Sequence, residues 1–294
     1  MSISKDQVTI VIPTLNEEKA IGPVLDELFK VGYKNVLVVD GYSMDSTVKV
    51  AESRGVRVLQ QNSHGKTGAL KTAIDCIDTP YMLVMDGDFT YNAKDIDRFL
   101  IPGERYAHVV GVRDRVNIGL VHRIGNWLIT HTFSLLLGIG ISDVCSGMYL
   151  LRTDVARELE LRSSGFRTEV EIMAQTAIDR SVIEVPISYR PRIGRRKLAT
   201  WRHGFEIIAA IFGLARRYNP VLLFSAFAGL SIIPAFLILG WVGLELLLFG
   251  VFHNWWATVG LMLVLLASQA LTVSTISILL KRTERRIMRA LRKE

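Results

Sequence analysis

The stretch that decides the fold is Tyr81-Met82-Leu83-Val84-Met85-Asp86-Gly87-Asp88, an apolar run that stops at two carboxylates one residue apart. A short apolar run that ends at turn residues is typical of a buried strand. Carboxylates at the end of such a strand can hold a divalent cation against a diphosphate. Two acids around a glycine are also typical of a plain turn, so the rest of the chain must decide between the two interpretations.

Three similar apolar runs come earlier in the chain, at Val8–Ile12, Val36–Val39 and Val56–Leu59. Each is followed by a polar segment that suits a loop and the first turn of a helix, and the second run ends at Asp40. Strands that alternate with helices in this way predict a mostly parallel, doubly wound α/β sheet. Ligands of such sheets bind outside the carboxyl ends of the strands, so we expect Asp40 to lie near the two acids of the first stretch.

The segment Gly65–Lys71 resembles a phosphate-binding loop, but its spacing is not G-x-x-x-x-G-K-[ST], which argues against a P-loop nucleotidase. A glycine-rich helix start that carries Lys66 can still offer backbone amides and a cation to a phosphate. An ordinary surface turn explains the same residues, and the sequence leaves both interpretations open.

Five segments in this order resemble the inverting GT-A glycosyltransferases of family two, in particular the dolichyl-phosphate mannose and glucose synthases. The segments are Ile12–Glu18, Val39–Thr47, Gly65–Ala69, Asp86–Asp88 and Asp143–Tyr149. The resemblance covers most of residues 8 to 200. It implies a Rossmann-like GT-A catalytic domain with a mostly parallel sheet.

The resemblance also implies roles for individual residues. Pro13, Glu17 and Asp40 would line the pocket for the nucleotide of a nucleotide sugar. Asp86 and Asp88 would meet Mg²⁺ or Mn²⁺ and the donor diphosphate. Lys66 joins the donor-binding set as a phosphate contact.

The chain departs from the mannose synthase pattern directly after the D-x-D pair. That group continues to a glutamine that helps to hold the metal, whereas this chain continues with Phe89-Thr90-Tyr91. Thr90 can supply an oxygen, though a weaker ligand. The departure leaves the third protein ligand open, and it leaves GDP-mannose, UDP-glucose and a UDP-N-acetylhexosamine as alternative donors.

Basic residues near the predicted strand ends and in the stretch after Tyr189 suit an anionic acceptor, because arginine binds phosphate through two parallel hydrogen bonds. Polyprenyl-phosphate transferases carry a similar basic stretch, but the alignment does not choose between Arg190 and Arg192. Solvated surface cations and nonspecific attraction to lipid are the alternatives. The predicted acceptor-phosphate residues are Arg113, Arg123, Arg190, Arg192 and Lys197. The predicted catalytic residues are Asp88, Arg113 and Arg123.

Two long apolar stretches, Val221–Leu244 and Trp255–Leu280, each exceed the roughly 20 residues that cross a bilayer. A buried helical hairpin is the alternative, but nothing else in the chain is apolar enough to cover two such helices. Lysines and arginines flank the outer ends of both stretches. By the positive-inside rule we expect an integral membrane protein with its catalytic domain and both termini in the cytoplasm.

The 294 residues therefore divide into four predicted parts. These are a catalytic domain over residues 1–200, an amphipathic interfacial helix over 201–219, a transmembrane hairpin over 220–281 and a basic tail over 282–294. The net charge of +7 is compatible with nucleic acid, but the positive residues concentrate beside the apolar stretches. The lipid bilayer is the better partner, and we expect no nucleic acid.

The sequence thus predicts a membrane-anchored enzyme that moves one sugar from a nucleotide sugar to dolichyl or another polyprenyl phosphate, in glycan assembly such as protein glycosylation. A transferase that extends a lipid-linked or polymeric saccharide is a second candidate, although the Q-x-x-R-W-like motif of processive synthases is absent. A non-catalytic nucleotide-binding membrane module is the third candidate, and the intact acids argue against it.

Overall fold

The computed structural model describes residues 3–114, 116–162, 167–179, 182–194, 207–213, 215–216 and 219–291. The chain divides into two units. The first contains residues 1–135 and 139–211, and the second contains residues 136–138 and 212–294.

The first unit is built on a seven-stranded sheet. Its strands are β1 Val8–Thr14, β2 Val36–Asp40, β3 Arg57–Gln60, β4 Tyr81–Val84, β5 His108–Arg113, β6 Tyr149–Arg152 and β7 Val182–Ile187. The intervening helices are α1 Ile21–Lys30, α2 Thr47–Glu52, α3 Gly65–Cys76, α4 Asp97–Gly103, α5 Leu120–Leu137, α6 Thr153–Arg157 and α7 Arg167–Asp179. The alternation of strands and helices predicted for the first 85 residues is therefore confirmed.

The strand order across the sheet is β3-β2-β1-β4-β6-β5-β7. Neighbouring strands pair in parallel except around β6, which is antiparallel to both β4 and β5. The core beneath the sheet contains the fully buried side chains of Tyr33, Phe99 and Leu25. The predicted mostly parallel, doubly wound sheet is thus confirmed.

The topology brings distant segments of the chain to one edge. β1, β2, β4, β5 and β7 all end there, because they run in the same direction. The antiparallel β6 begins at this edge, so the segment Asp143–Met148 that precedes it lies there too. Most of the segments singled out in the sequence therefore meet at the carboxyl ends of the strands.

The second unit contains two long helices, α8 Pro220–Phe249 and α9 Asn254–Leu291. They pack along each other, and the hydroxyl groups of Ser225 and Ser274 lie 3.1 Å apart. Both helices are long and apolar enough to cross a membrane, and only 17% and 11% of their most apolar windows are buried in the structure. This low burial distinguishes them from the core helices of a water-soluble fold.

Candidate functional site

A cavity of about 700 Å³ lies in the first unit at the carboxyl edge of the sheet. Its walls come from the loops after β1, β4, β5 and β7 and from the N-terminal parts of α3, α5 and α7. The segment Tyr189–Gly194 forms the last of these walls in chain order, and Ile207 follows it as a further lining residue. Eight of the predicted site residues line the cavity: Pro13, Glu17, Lys66, Asp86, Asp88, Arg113, Arg190 and Arg192.

Asp86 presents a half-buried carboxylate to the cavity, with 34% of its side chain exposed. Its Oδ2 packs so closely on Gly147 that a Cβ at that glycine would lie 2.2 Å away. The amide of Gly147 donates a 2.7 Å hydrogen bond to the hydroxyl oxygen of the buried Tyr91, which fixes the backbone there. The loop before β6 thus sets the direction in which Asp86 points.

Asp88 is more deeply buried than Asp86 and is held on both of its oxygens. Thr90 donates to Oδ1 from its backbone amide at 3.1 Å and from its hydroxyl at 2.6 Å. Arg192 places Nη1 3.1 Å from Oδ2. Burial raises the pKa of Asp88 above its ordinary value, and the neighbouring charge of Asp86 raises it further. Phe89, between these contacts, has a left-handed φ of 68°, which turns the chain sharply after Asp88.

Lys66 lies between two carboxylates at the start of α3. Its Nζ is 2.5 Å from Asp86 Oδ1 and 2.5 Å from Oε1 of Glu169, in the first turn of α7. Burial alone would lower the pKa of Lys66, but the attraction of Asp86 and Glu169 outweighs it and holds that pKa well above its ordinary value. The lysine therefore stays charged across the physiological pH range.

The loop after β1 and the end of β2 form the predicted nucleotide side of the cavity. Pro13 and Glu17 line it, whereas Asp40 is completely buried and does not. Asp40 accepts hydrogen bonds from the amide of Ser43 at 2.8 Å and from its hydroxyl at 2.5 Å. The structure thus places Asp40 beneath the loop after β2, where it fixes that loop from below.

Arg113, at the end of β5, makes a bidentate ion pair with Asp143 in which both N–O distances are 2.7 Å. Its guanidinium also lies 5.4 Å from the centre of the Tyr189 ring. Cys145 lies on the same wall, and burial raises the pKa of its thiol to about 12. The thiol is therefore neutral at physiological pH.

The two arginines between which the sequence did not choose have different surroundings. Arg190 makes a bidentate ion pair with Glu27 at 2.7 and 2.9 Å and stacks on Phe89, 4.0 Å from the ring centre. Arg192 instead contacts Glu17 and Asp88. Arg190 thus anchors the last wall of the cavity to α1, whereas Arg192 lies at the D-x-D pair.

Two other predicted residues stand apart from this set: Arg123 does not line the cavity, and Lys197 lies outside the described residues. Arg123, in the first turn of α5, is exposed and borders a separate small depression beside Asp143. The roles of both stay predictions.

The D-x-D pair fits a hard divalent cation. Carboxylate oxygens such as those of Asp86 and Asp88 are the ligands that Mg²⁺ and Mn²⁺ prefer. Burial and then the charge of Asp86 raise the pKa of Asp88, and a bound cation would compensate both effects. Among the described residues, no third acid, histidine or cysteine completes a cluster with them. Thr90 uses its hydroxyl to hold Asp88. Water and a diphosphate would therefore fill the remaining coordination positions, as is common for Mg²⁺.

A doubly wound sheet with a D-x-D pair in a cavity at its carboxyl edge is typical of glycosyltransferases with the GT-A fold. The model of glycosyl transferase family 2 matches residues 9–160, more than half of the chain, and the chain therefore belongs to that family.

Relatives and a solved structure agree with this assignment. Glycosyltransferase AglJ of Haloferax volcanii is 33% identical over 235 residues, which cover 75% of this chain and 76% of the relative. A dolichyl-phosphate hexose transferase of the same organism is 31% identical, covering 69% of this chain and 91% of the relative. Glucosyl-3-phosphoglycerate synthase of Mycobacterium tuberculosis, crystallised with Mn²⁺, UDP-glucose and phosphoglyceric acid, shares the fold. It has a TM-score of 0.60, 20% identity, and coverage of 71% of this chain and 79% of that chain.

Proposed function

We propose that this glycosyltransferase moves one sugar from a nucleotide sugar to the phosphate of a polyprenyl lipid, such as dolichyl phosphate. The observation that carries the proposal is the cavity, in which carboxylates suited to a metal–diphosphate and arginines suited to a second anion face one space. The similarity to a dolichyl-phosphate hexose transferase supports the same acceptor class. The two apolar helices give the enzyme a means of reaching a lipid.

The chemistry places modest demands on this site. The acceptor phosphate is already an anion near neutral pH, so it attacks the anomeric carbon without a strong base. One of its oxygens forms the new bond while the bond to the donor diphosphate breaks, which inverts the configuration of that carbon. The site must therefore hold two anions together and neutralise the charge that collects on the leaving diphosphate. A bound Mg²⁺ or Mn²⁺ would supply part of that neutralisation, held by Asp86 and Asp88.

We assign the donor to the side of the cavity formed by the loop after β1 and the start of α3. Pro13 and Glu17 face the nucleotide there, and Lys66 supplies a cation for its phosphates. Asp40 acts indirectly, because it holds the loop after β2 through Ser43. Which base and sugar bind depends on a few pocket contacts, so GDP-mannose, UDP-glucose and UDP-N-acetylhexosamine stay alternative donors.

We assign the acceptor phosphate to Arg113 and Arg192. Arg113 is 10% exposed on the cavity wall, and its ion pair with Asp143 fixes its orientation. Arg192 lies at the D-x-D pair, where the reacting phosphate and the diphosphate must meet. Arg190 instead pairs with Glu27 of α1 and donates to the carbonyl oxygen of Tyr91, away from both acids of the D-x-D pair, so we assign it an anchoring role in place of direct contact.

The test is transfer from a panel of radiolabelled UDP- and GDP-sugars to dolichyl phosphate by the purified full-length protein. Assays contain Mn²⁺, Mg²⁺ or EDTA. We expect an organic-extractable product from one donor that depends on the metal and carries a single sugar. A product that grows by further sugars would favour a polymer-extending transferase, and no lipid product from any donor would contradict the proposal.

Asp88→Asn and Asp75→Asn form a matched pair of variants for this assay. Asp75 is exposed on α3 and does not line the cavity. We expect Asp88→Asn to lower kcat/KM about 100-fold or more, because it weakens the electrostatic support of the leaving diphosphate. Asp75→Asn should keep the activity of the unmodified enzyme.

A further inference from the structure

Lys66 is shared between Asp86 and a second acid that lies outside the D-x-D pair. Its Nζ is equidistant, at 2.5 Å, from Asp86 Oδ1 and Glu169 Oε1. The helix starts that carry these residues are joined by a 2.6 Å hydrogen bond between the hydroxyl groups of Thr67 and Thr168. Glu169 is 6% exposed, and its Oε2 is a buried atom with no hydrogen-bond partner among the described residues. Glu169 can therefore accept more from Lys66 than it does now.

Arg192 repeats this arrangement at the other acid of the pair. Its Nη1 lies 3.1 Å from Asp88 Oδ2, and its Nη2 donates to Oε1 of Glu17, which is 8% exposed. The amide of Ile193 donates to the carbonyl oxygen of Asp88 at 3.2 Å, which holds the segment in place. Asp88 Oδ1 is occupied by Thr90, so Arg192 covers the remaining oxygen of Asp88.

Each carboxylate of the D-x-D pair thus forms an ion pair with a positively charged side chain, and each of these two cations also pairs with a second, buried carboxylate. Four carboxylates face two cations, which leaves two negative charges, the charge that one divalent cation compensates. We infer that Lys66 and Arg192 form ion pairs with Asp86 and Asp88 before the metal binds. When the metal displaces Lys66 and Arg192 from these two acids, Glu169 and Glu17 keep them in the site as their remaining partners. Glu17 and Glu169 are then positioning residues.

This inference rests on the proposed function and deepens it. A base displaced from a carboxylate inside a buried site is unfavourable unless another acid compensates its charge. Glu17 and Glu169 provide that compensation and keep the bases within a few ångströms of the metal position. The freed N–H groups then point at the place where an anionic diphosphate binds, and such charge-assisted hydrogen bonds are strong. Binding of the metal and of the diphosphate therefore favour each other.

The test measures Mn²⁺ affinity of the detergent-solubilised full-length protein from the electron paramagnetic resonance signal of free Mn²⁺, with and without UDP or GDP. The variants are Glu17→Gln, Arg192→Gln and the double variant. Glu17→Gln should weaken Mn²⁺ binding about tenfold, because Arg192 then loses one of the two acids that it contacts and holds more strongly to the other, Asp88. In the Arg192→Gln background the same change should alter the affinity less than twofold.

Glu160→Gln is the matched control, because Glu160 also pairs with an arginine, Arg162, and neither residue lines the cavity. It removes the same charge but should change Mn²⁺ affinity less than twofold. Glu169→Gln and Lys66→Met provide a second, independent cycle if Glu17→Gln does not fold as judged by circular dichroism. In that cycle, Glu169→Gln should no longer change the Mn²⁺ affinity once Lys66 has been replaced by methionine.

The outcomes separate the inference from the proposed function. If Glu17→Gln and Glu169→Gln weaken Mn²⁺ binding equally with and without their bases, a general field effect explains the result and the inference is overturned. If the unmodified protein binds no Mn²⁺ even with either nucleoside diphosphate, the metal-dependent proposal itself is overturned, and this inference with it.

Discussion

The direction of the Asp86 carboxylate depends on the missing side chain of Gly147. A Cβ there would lie 2.2 Å from Oδ2 and 2.8 Å from Cγ of Asp86, closer than van der Waals contact allows. The backbone of Gly147 cannot easily move away, because its amide donates to the buried Tyr91 hydroxyl. The carboxylate must therefore give way when a side chain is added.

We expect Gly147→Ala to lower kcat/KM about 100-fold, because a shift of about 1 Å in the position of a group at the reacting site can have an effect of that size. The overpacked site should also lose about 1–3 kcal/mol of stability. Steady-state kinetics and thermal unfolding measure the two effects. Gly140→Ala is the control, because a Cβ at Gly140 meets no atom within 4 Å. Full activity of Gly147→Ala would show that Asp86 does not need its present orientation.

The positions of Asp86 and Asp88 at the carboxyl edge of the sheet were predictable, because a motif and a strand end coincide there; their roles stay predictions. Their ion-pair partners were not predictable. Arg190 and Glu27 are 163 positions apart in the chain, and Arg192 and Glu17 are 175 positions apart. Only the folded topology determines which of several acids such an arginine meets. Sequence reasoning therefore identified the basic stretch but left the choice between its arginines open.

Among the elements, the first four strands were predictable because short apolar runs end there at polar turns. The start of α1 was not. Acids at positions 17 and 18 suit a first helical turn, yet α1 begins at Ile21. Asn16 has a left-handed φ of 51°, and Glu17 uses its backbone amide to bind the hydroxyl of Thr47. The reversed direction of β6 has no local sequence signal either, because its pairing with β4 joins distant segments.

The contact between β5 and α7 buries a histidine. His108 Nδ1 lies 2.8 Å from the hydroxyl of Thr176, and burial lowers the pKa of His108 to about 3. In the unfolded chain this pKa is near 6.5, so between pH 6.5 and 3 the unfolded state binds more protons. The contribution of His108 to the free energy of unfolding is therefore fully present above pH 6.5 and is lost as the pH falls towards 3.

We expect the unmodified protein to lose about 2 kcal/mol through His108 between pH 7 and pH 5, or about 4–8 °C in melting temperature. His108→Gln should remove this part of the acid sensitivity, whatever its own stability at pH 7. Near-ultraviolet circular dichroism during heating measures the transition. His131→Gln is the control, because His131 is exposed. An equal pH dependence of His108→Gln and the unmodified protein would contradict the assignment.

At the scale of the whole molecule, charge is distributed unevenly around the apolar helices. The segment that precedes α8 carries Arg216 and Arg217, and the end of α9 and the residues after it carry seven further basic residues. The short connection Gly250–His253 between the helices has no lysine or arginine. This asymmetry favours an orientation with both ends in the cytoplasm and the connection outside.

We expect Phe252→Cys in intact cells to react with a membrane-impermeant maleimide, whereas Glu294→Cys should react only after the membrane is opened. The connection is exposed in the structure, so access to Phe252 depends on the side of the membrane alone. The parent for both variants is the protein with Cys76 and Cys145 replaced by serine, so that the introduced cysteine is the one that reacts. Labelling of Glu294→Cys in intact cells would reverse the proposed topology.

The last wall of the cavity has a consequence for biosynthesis. The cavity lining is incomplete until Ile207 has been synthesised, because Ile207 follows Tyr189–Gly194 in the chain and lines the cavity as well. Pro220, the first residue of α8, follows 13 positions later, and at about 5–20 residues per second it is added within about 1–3 s. The apolar helix α8 therefore begins to be synthesised within seconds of the last residue that lines the cavity. A slow step in folding the first unit would leave the carboxyl edge of its sheet open while this apolar helix is already being made.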